Sequence, residues 1–184
     1  MMVAREIRNL ALVGFMGVGK STVGRLLAEE LGFAFIDTDE EIERRTGSKI
    51  PEIFASAGEA HFRSLESQLI DEMKDWSNTV IATGGGLVVQ PGNLERLKEH
   101  ALVACLWAGA HTIHQRTCHQ THRPLLQTED PEGRIREMLA AREPFYRRSD
   151  LLVGTELRPV REIVSLIAHQ FRDTRRNASA TNEK

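Results

Sequence analysis

Gly14-Phe15-Met16-Gly17-Val18-Gly19-Lys20-Ser21-Thr22 decides how the rest of the chain is read. Its order of Gly, four residues, Gly, Lys and Ser is that of a phosphate-binding loop. The flanks suit the motif. Leu10 to Val13 is a short apolar run of the kind that forms a buried strand. From Ser21 to Leu31, the side chains of Val23, Leu26, Leu27 and Leu31 share one helical face, and Gly32 stands where a helix stops. Glycines at 14, 17 and 19 allow backbone angles and close approaches that a side chain would block. Successive N–H groups can then curl around an anion, with the positive end of the following helix behind them. Lys20 adds a mobile charge for the outer phosphates, and the Ser21 hydroxyl suits Mg²⁺. The stretch predicts a nucleoside triphosphate site built from Gly17, Val18, Gly19, Lys20, Ser21 and Thr22.

At 184 residues the chain can bury a substantial core but is short for two domains, and 41% hydrophobic content argues against wholesale disorder. The net charge of −2 gives no overall case for nucleic acid or anionic membranes as partners. No apolar run approaches the length of a membrane span, and the N-terminus lacks the apolar core of a signal peptide. The expectation is a cytoplasmic protein with free thiols at Cys105 and Cys118, whose spacing fits no metal site. Apolar patterning is used up by the core, which predicts a monomer.

Outward from the loop, short apolar runs alternate with helical patterns. Ala34 to Asp39 reads as a second strand ending in Asp37-Thr38-Asp39, Val80 to Ala82 as a third running into Thr83-Gly84-Gly85-Gly86, Leu102 to Trp107 as a fourth and Leu151 to Val153 as a fifth. Between them lie helical patterns over about 39–45, a short one behind Ser48 that Gly58 breaks, then 59–74, 93–100, 131–148 with an interruption at Pro144, and 159–171. The alternation predicts an α/β fold: a three-layer α/β/α sandwich with a five-stranded parallel sheet, of the phosphate-binding-loop NTPase type. A single domain spans 1–172. Its polar stretch of about 109–130 reads as a mobile lid, and the polar tail 173–184 as disordered.

Ligands of such sheets sit at the carboxyl ends of the strands, so the loop, the Asp37/Asp39 pair and the three glycines should converge on one cleft. The third strand ends in Thr83 and glycines, leaving Asp37 and Asp39 as the metal-shell candidates. Two carboxylates two residues apart in extended chain point the same way. One can hold Mg²⁺ through water while the other takes a proton from a substrate hydroxyl. Asp39 also qualifies as a cap for the next helix. Gly84-Gly85-Gly86 lets backbone N–H groups approach a substrate. His111, His114, His119 and His122 lie in the predicted lid and are assigned no metal.

The joint set resembles the shikimate kinase family. It comprises the loop, Asp37-Thr38-Asp39, Phe62-Arg63-Ser64-Leu65-Glu66, Gly84-Gly85-Gly86, Arg123-Pro124-Leu125-Leu126 and Arg142-Glu143-Pro144-Phe145-Tyr146, in order from about residue 8 to residue 170. The resemblance implies ATP-dependent phosphorylation of the shikimate 3-hydroxyl in aromatic amino acid biosynthesis. By it, Lys20 contacts the β- and γ-phosphates, and Ser21 and Asp37 lie in the Mg²⁺ shell. Asp39 binds the shikimate hydroxyls and helps deprotonate the attacking one. Arg63 and Arg142 grip the carboxylate, Glu66 orients Arg63, and Gly84, Gly85 and Gly86 give backbone contacts. Arg123 closes over the phosphates, and Arg116 and Arg158 flank the adenine. Two arginines and an acceptor complement an acid with three hydroxyls. Kinases of another small metabolite such as gluconate, and a non-catalytic nucleotide binder, are the competing readings. A helicase or switch GTPase is disfavoured by small size and the missing strand-three carboxylate.

Overall fold

The computed structural model describes residues 5–119 and 128–182, with side chains as far as residue 178. Five strands, β1 (Asn9–Val13), β2 (Ala34–Asp37), β3 (Thr79–Ala82), β4 (Ala101–Trp107) and β5 (Leu151–Gly154), form one sheet in the order β2-β3-β1-β4-β5. All four pairings are parallel, with Leu12 opposite Ala82 on one side and Ala104 on the other. The central strands are buried along their whole length apart from Trp107 at the end of β4. Parallel strands covered on both faces need continuous apolar sequence, which explains why β1, β3 and β4 were legible as runs and not as alternation. The edge strands β2 and β5 are more exposed.

The helices are α1 (Lys20–Leu31), α2 (Thr38–Thr46), α3 (Ile50–Met73), α4 (Asn93–His100), α5 (Ala110–Thr117), α6 (Pro131–Tyr146) and α7 (Val160–Asn182). α1 and α7 pack on each other and on the sheet, while α3 and α4 form another packed pair and α5 lies against α6. These layers make the α/β/α sandwich. The chain leaves central β1 for the far edge at β2 and returns to β3, so the crevice beyond the carboxyl ends of β1 and β3 is the topological switch point where such sheets bind ligands.

One polar residue inside the central strand is fully satisfied. Asn9 donates to the Trp76 carbonyl at 2.8 Å and accepts the Thr79 N–H at 3.2 Å, tying β1 to the start of β3.

Four expectations are corrected. Pro144 does not interrupt α6; it falls in the last turn, where a missing N–H costs a single backbone bond. The predicted disordered tail is helical as far as Asn182. It is held from outside the segment, by Arg172 on Glu30 and Arg175 over the rings of Phe33 and Phe171. Within the predicted lid, 110–117 is a regular helix with Ile113 and Thr117 buried, while 120–127, with Arg123 and His122, lie outside the described residues. The helix α3 starts after Lys49, not behind a Ser48 cap, while the expected break at Gly58 is present as non-helical backbone (φ 79°, ψ 172°) that kinks it.

Candidate active site

The loop between β1 and α1 takes its shape from Gly14 (φ 132°), Gly17 (φ 77°) and Gly19 (φ 99°). At Gly14 a side chain is impossible: its Cβ would stand 2.3 Å from the Leu106 carbonyl oxygen of β4. At Gly17 it would meet the Thr117 methyl at 2.6 Å, so the end of α5 rests on the loop. α1 begins with no side-chain cap and no acidic residue in its first turn. Its leading N–H groups and dipole are therefore left for an anionic ligand. The Lys20 ammonium lies over the loop it follows, donating to the Gly14 and Phe15 carbonyls at 2.9 Å each.

At the end of β2, Asp37 holds two partners. Its Oδ2 accepts the Ser21 hydroxyl at 2.7 Å, and its Oδ1 accepts the Asp39 N–H at 3.1 Å. Asp37, not Asp39, thus caps α2. The two aspartates are not on one extended strand, because the helix starts at Thr38 between them. A hydroxyl and a carboxylate side by side at the phosphate loop are a hard-oxygen donor set that fits Mg²⁺.

Asp39, on the first turn of α2, aims a buried Oδ1 with no hydrogen-bond partner at the cleft. Burial first, then the neighbouring Asp37 charge, push its pKa up to about 6, against the pull of Lys20. Such a carboxylate is ionised at neutral pH yet basic enough to take a proton.

Gly84-Gly85-Gly86 forms the floor on which the remaining groups meet. A Cβ on Gly84 would lie 2.6 Å from Asp39 Oδ1 and 3.0 Å from Glu66 Oε1. One on Gly86 would lie 2.7 Å from Arg63 Nη1, and one on Gly85 would lie 3.6 Å from Arg142 Nη1 and 3.4 Å from the Gly14 carbonyl oxygen. The missing side chains at Gly84 and Gly86 thus leave the room that Asp39, Glu66 and Arg63 occupy, while at Gly85 a methyl would make only ordinary contacts with Arg142 and the loop.

Arg63 is fixed on α3 by Glu66, a turn later, at 2.7 Å and by Glu59, a turn earlier, at 2.9 Å, and it lies over the Phe62 ring. Burial raises the pKa of Glu66, with Arg63 opposing. Arg142 of α6 donates to the Gly85 carbonyl at 3.2 Å and stacks over Phe15 of the loop at 5.2 Å. Arg116, near the end of α5, donates to the Thr155 carbonyl at 2.7 Å and its hydroxyl at 3.0 Å. Arg158 is exposed three residues beyond that contact. His111 and His114 belong to α5, where His111 meets Glu132 of α6 at 3.1 Å. Among the described residues no group of three or more His, Cys, Asp or Glu is arranged for a metal ion. Cys105 is buried and Cys118 exposed.

Sequence reasoning passed over two residues of the site. Thr38 is buried and accepts the Gly84 N–H at 2.8 Å, joining α2 to the glycine floor. Tyr146 donates to the Gly85 carbonyl at 2.8 Å. Its spacing of four from Arg142 puts both on one face of α6, which is the signal that could have found it.

A phosphate loop facing a basic carboxylate and two arginines across a bare glycine floor defines a nucleotide-dependent kinase of a small acid. The comparisons with known proteins say which. A family model described as shikimate kinase matches residues 16–172. A shikimate kinase of Thermodesulfovibrio yellowstonii is 43% identical, covering 90% of this chain and 95% of its own. Another from Pseudomonas fluorescens is 48% identical over 86% of this chain and 92% of its own. The solved structure of shikimate kinase from Acinetobacter baumannii in complex with shikimate superposes with a TM-score of 0.85 at 41% identity, covering 91% of this chain and 94% of that one. The chain belongs to the shikimate kinase family. A gluconokinase from Sinorhizobium meliloti, at 18% identity and a TM-score of 0.62 over 96% of this chain and 99% of its own, shares the fold alone.

Proposed function

We infer that this chain transfers the γ-phosphoryl group of ATP to the 3-hydroxyl of shikimate, giving shikimate 3-phosphate and ADP in aromatic amino acid biosynthesis. The observation that carries the substrate is the meeting of Arg63 and Arg142 over Gly85 and Gly86, beside Asp39. Two fixed guanidinium groups suit one carboxylate, and the neighbouring carboxylate suits hydroxyls. The complex of the Acinetobacter baumannii relative with shikimate supports the same acceptor.

In this reading the loop from Gly17 to Thr22 holds the ATP phosphates through its N–H groups, and Lys20 turns its ammonium from the loop carbonyls to the β- and γ-phosphates. Ser21 and Asp37 would hold Mg²⁺, which when bound neutralises charge on the β- and γ-phosphates. Asp39 accepts the proton of the attacking hydroxyl as the bond to phosphorus forms. Gly84, Gly85 and Gly86 contact the ring, Glu66 keeps Arg63 in place, and Arg116 and Arg158 flank the adenine. Arg123 neutralises charge on the transferring group. The working unit is a monomeric, cytoplasmic single domain that includes α7, without nucleic acid or membrane partners. The described residues include no helix long and apolar enough to cross a membrane.

A coupled ADP-release assay with shikimate, with gluconate and with no acceptor tests the reading. ADP release with shikimate alone is expected. Release with gluconate instead would move the acceptor, and none with either would leave a nucleotide binder without transfer.

A further inference from the structure

The hydrogen bonds of the glycine floor leave an uneven remainder. Gly84 spends its N–H on Thr38 and its carbonyl on Leu87, and the Gly86 carbonyl accepts the Val89 N–H. The Gly85 carbonyl takes two donors, the Tyr146 hydroxyl at 2.8 Å and Arg142 at 3.2 Å. Among the described residues the N–H groups of Gly85 and Gly86 donate to nothing. A trans peptide is planar, so the carbonyl of Gly85 and the N–H of Gly86 point in opposite directions. Whatever fixes that oxygen also aims that N–H.

A run of three glycines cannot fix it from within, since each residue has more accessible backbone states than any other type. The anchor must come from outside. Arg142 is ill suited as the sole anchor, because its guanidinium is half-buried and needed by the acceptor. Tyr146 is fully buried, with its ring at an edge contact of 6.4 Å with Trp107. Burial drives its pKa to about 12, so the phenol stays a donor at every working pH.

We propose that Tyr146 is a positioning residue for the acceptor: it pins the Gly85 carbonyl, so that the Gly86 N–H is presented to shikimate while Arg142 is free to grip the carboxylate. The proposal rests on the shikimate-phosphorylating reading. It separates Tyr146 from an ordinary core aromatic, whose loss would act on stability and on both substrates alike.

Tyr146→Phe keeps the ring and deletes only the hydroxyl. Losing one neutral hydrogen bond to a substrate-facing peptide should raise KM for shikimate about five- to tenfold. KM for ATP should stay within about twofold, and the melting temperature should move little. In an Arg142→Ala background the same change should still cost at least as much, because Tyr146 is then the remaining described donor on that carbonyl. Equal rises in both KM values, a fall in melting temperature with unchanged KM for shikimate, or disappearance of the Tyr146→Phe effect in the Arg142→Ala background would each overturn the proposal. Absence of shikimate turnover by the unmodified enzyme in the same assay would remove the underlying reading first, and is seen separately.

Discussion

Arg63 and Glu66 form an ion pair of 2.7 Å whose acidic member is buried to the last atom, while its other carboxylate oxygen has no partner. Burying a carboxylate is costly, and such pairs rarely add net stability. What this one provides is a guanidinium held still at the Gly86 floor.

Glu66→Gln tests that. The amide keeps the shape and an acceptor for Arg63 but loses the charge that orders it. Because burial already works against the ionised form, the melting temperature should not fall. KM for shikimate should rise by about tenfold, the effect expected for a charge-assisted bond becoming neutral. Steady-state kinetics beside a melting curve decide it. A variant that melts early and keeps its KM would mark Glu66 as scaffold only.

Gly86→Ala probes the floor itself. The added methyl would stand 2.7 Å from Arg63 Nη1, the far end of a flexible side chain, and the backbone at Gly86 has an ordinary negative φ of −99°. The fold should therefore survive while Arg63 is pushed aside. Far-UV circular dichroism should match the parent, and kcat/KM for shikimate should drop on the order of a hundredfold, roughly 3 kcal/mol. Unchanged kinetics would mean that Arg63 does not work from this position.

Asp37 has two tasks that one substitution separates. It caps α2 through Asp39 N–H and meets the Ser21 hydroxyl beside the phosphate loop. Asparagine caps helices about as well as aspartate but is a weaker magnesium donor. Asp37→Asn should keep its melting temperature within about 0.5 kcal/mol of stability, yet need at least several-fold more Mg²⁺ for half-maximal turnover. A chelator should stop both forms. A magnesium titration identical to the parent's would take Asp37 out of the metal shell.

What could be read beforehand follows from range. The loop and the buried strands are properties of neighbouring residues and are visible in a window of a few positions, whereas the roles of Arg63 and Arg142 are implied only by the family resemblance. The Asp37–Asp39 geometry was misread because periodicity does not say on which residue a strand turns into a helix. The helical end of α7 depends on Arg172 and Arg175 reaching Glu30, Phe33 and Phe171, which no local composition reveals. The Tyr146–Gly85 bond spans 61 residues. It became visible only when α6 was seen to lie on the glycine floor.

Asp39 carries the strongest conflict between stability and chemistry. Its carboxyl sits at about 6 in the fold against an ordinary 3.8, so between those values the folded state holds the extra proton. Its contribution to stability is fully present below about pH 3.8, is lost as pH rises toward about 6, and stays lost above. Asp39→Asn should therefore be more stable than the parent at pH 7.5, by up to about 3 kcal/mol, and show no such advantage near pH 3.5. The same change removes the base, which should lower kcat on the order of 10²- to 10⁴-fold while ATP affinity stays nearly intact. The parent's kcat should fall with a midpoint near pH 6 as the carboxylate takes up its proton before any substrate offers one. Thermal melts at the two pH values, with a pH–rate profile, check all of this. A parent-like kcat in Asp39→Asn would remove the base, and equal melting of the two proteins at pH 7.5 would remove the burial cost, since the buried Oδ1 facing the cleft is the source of both.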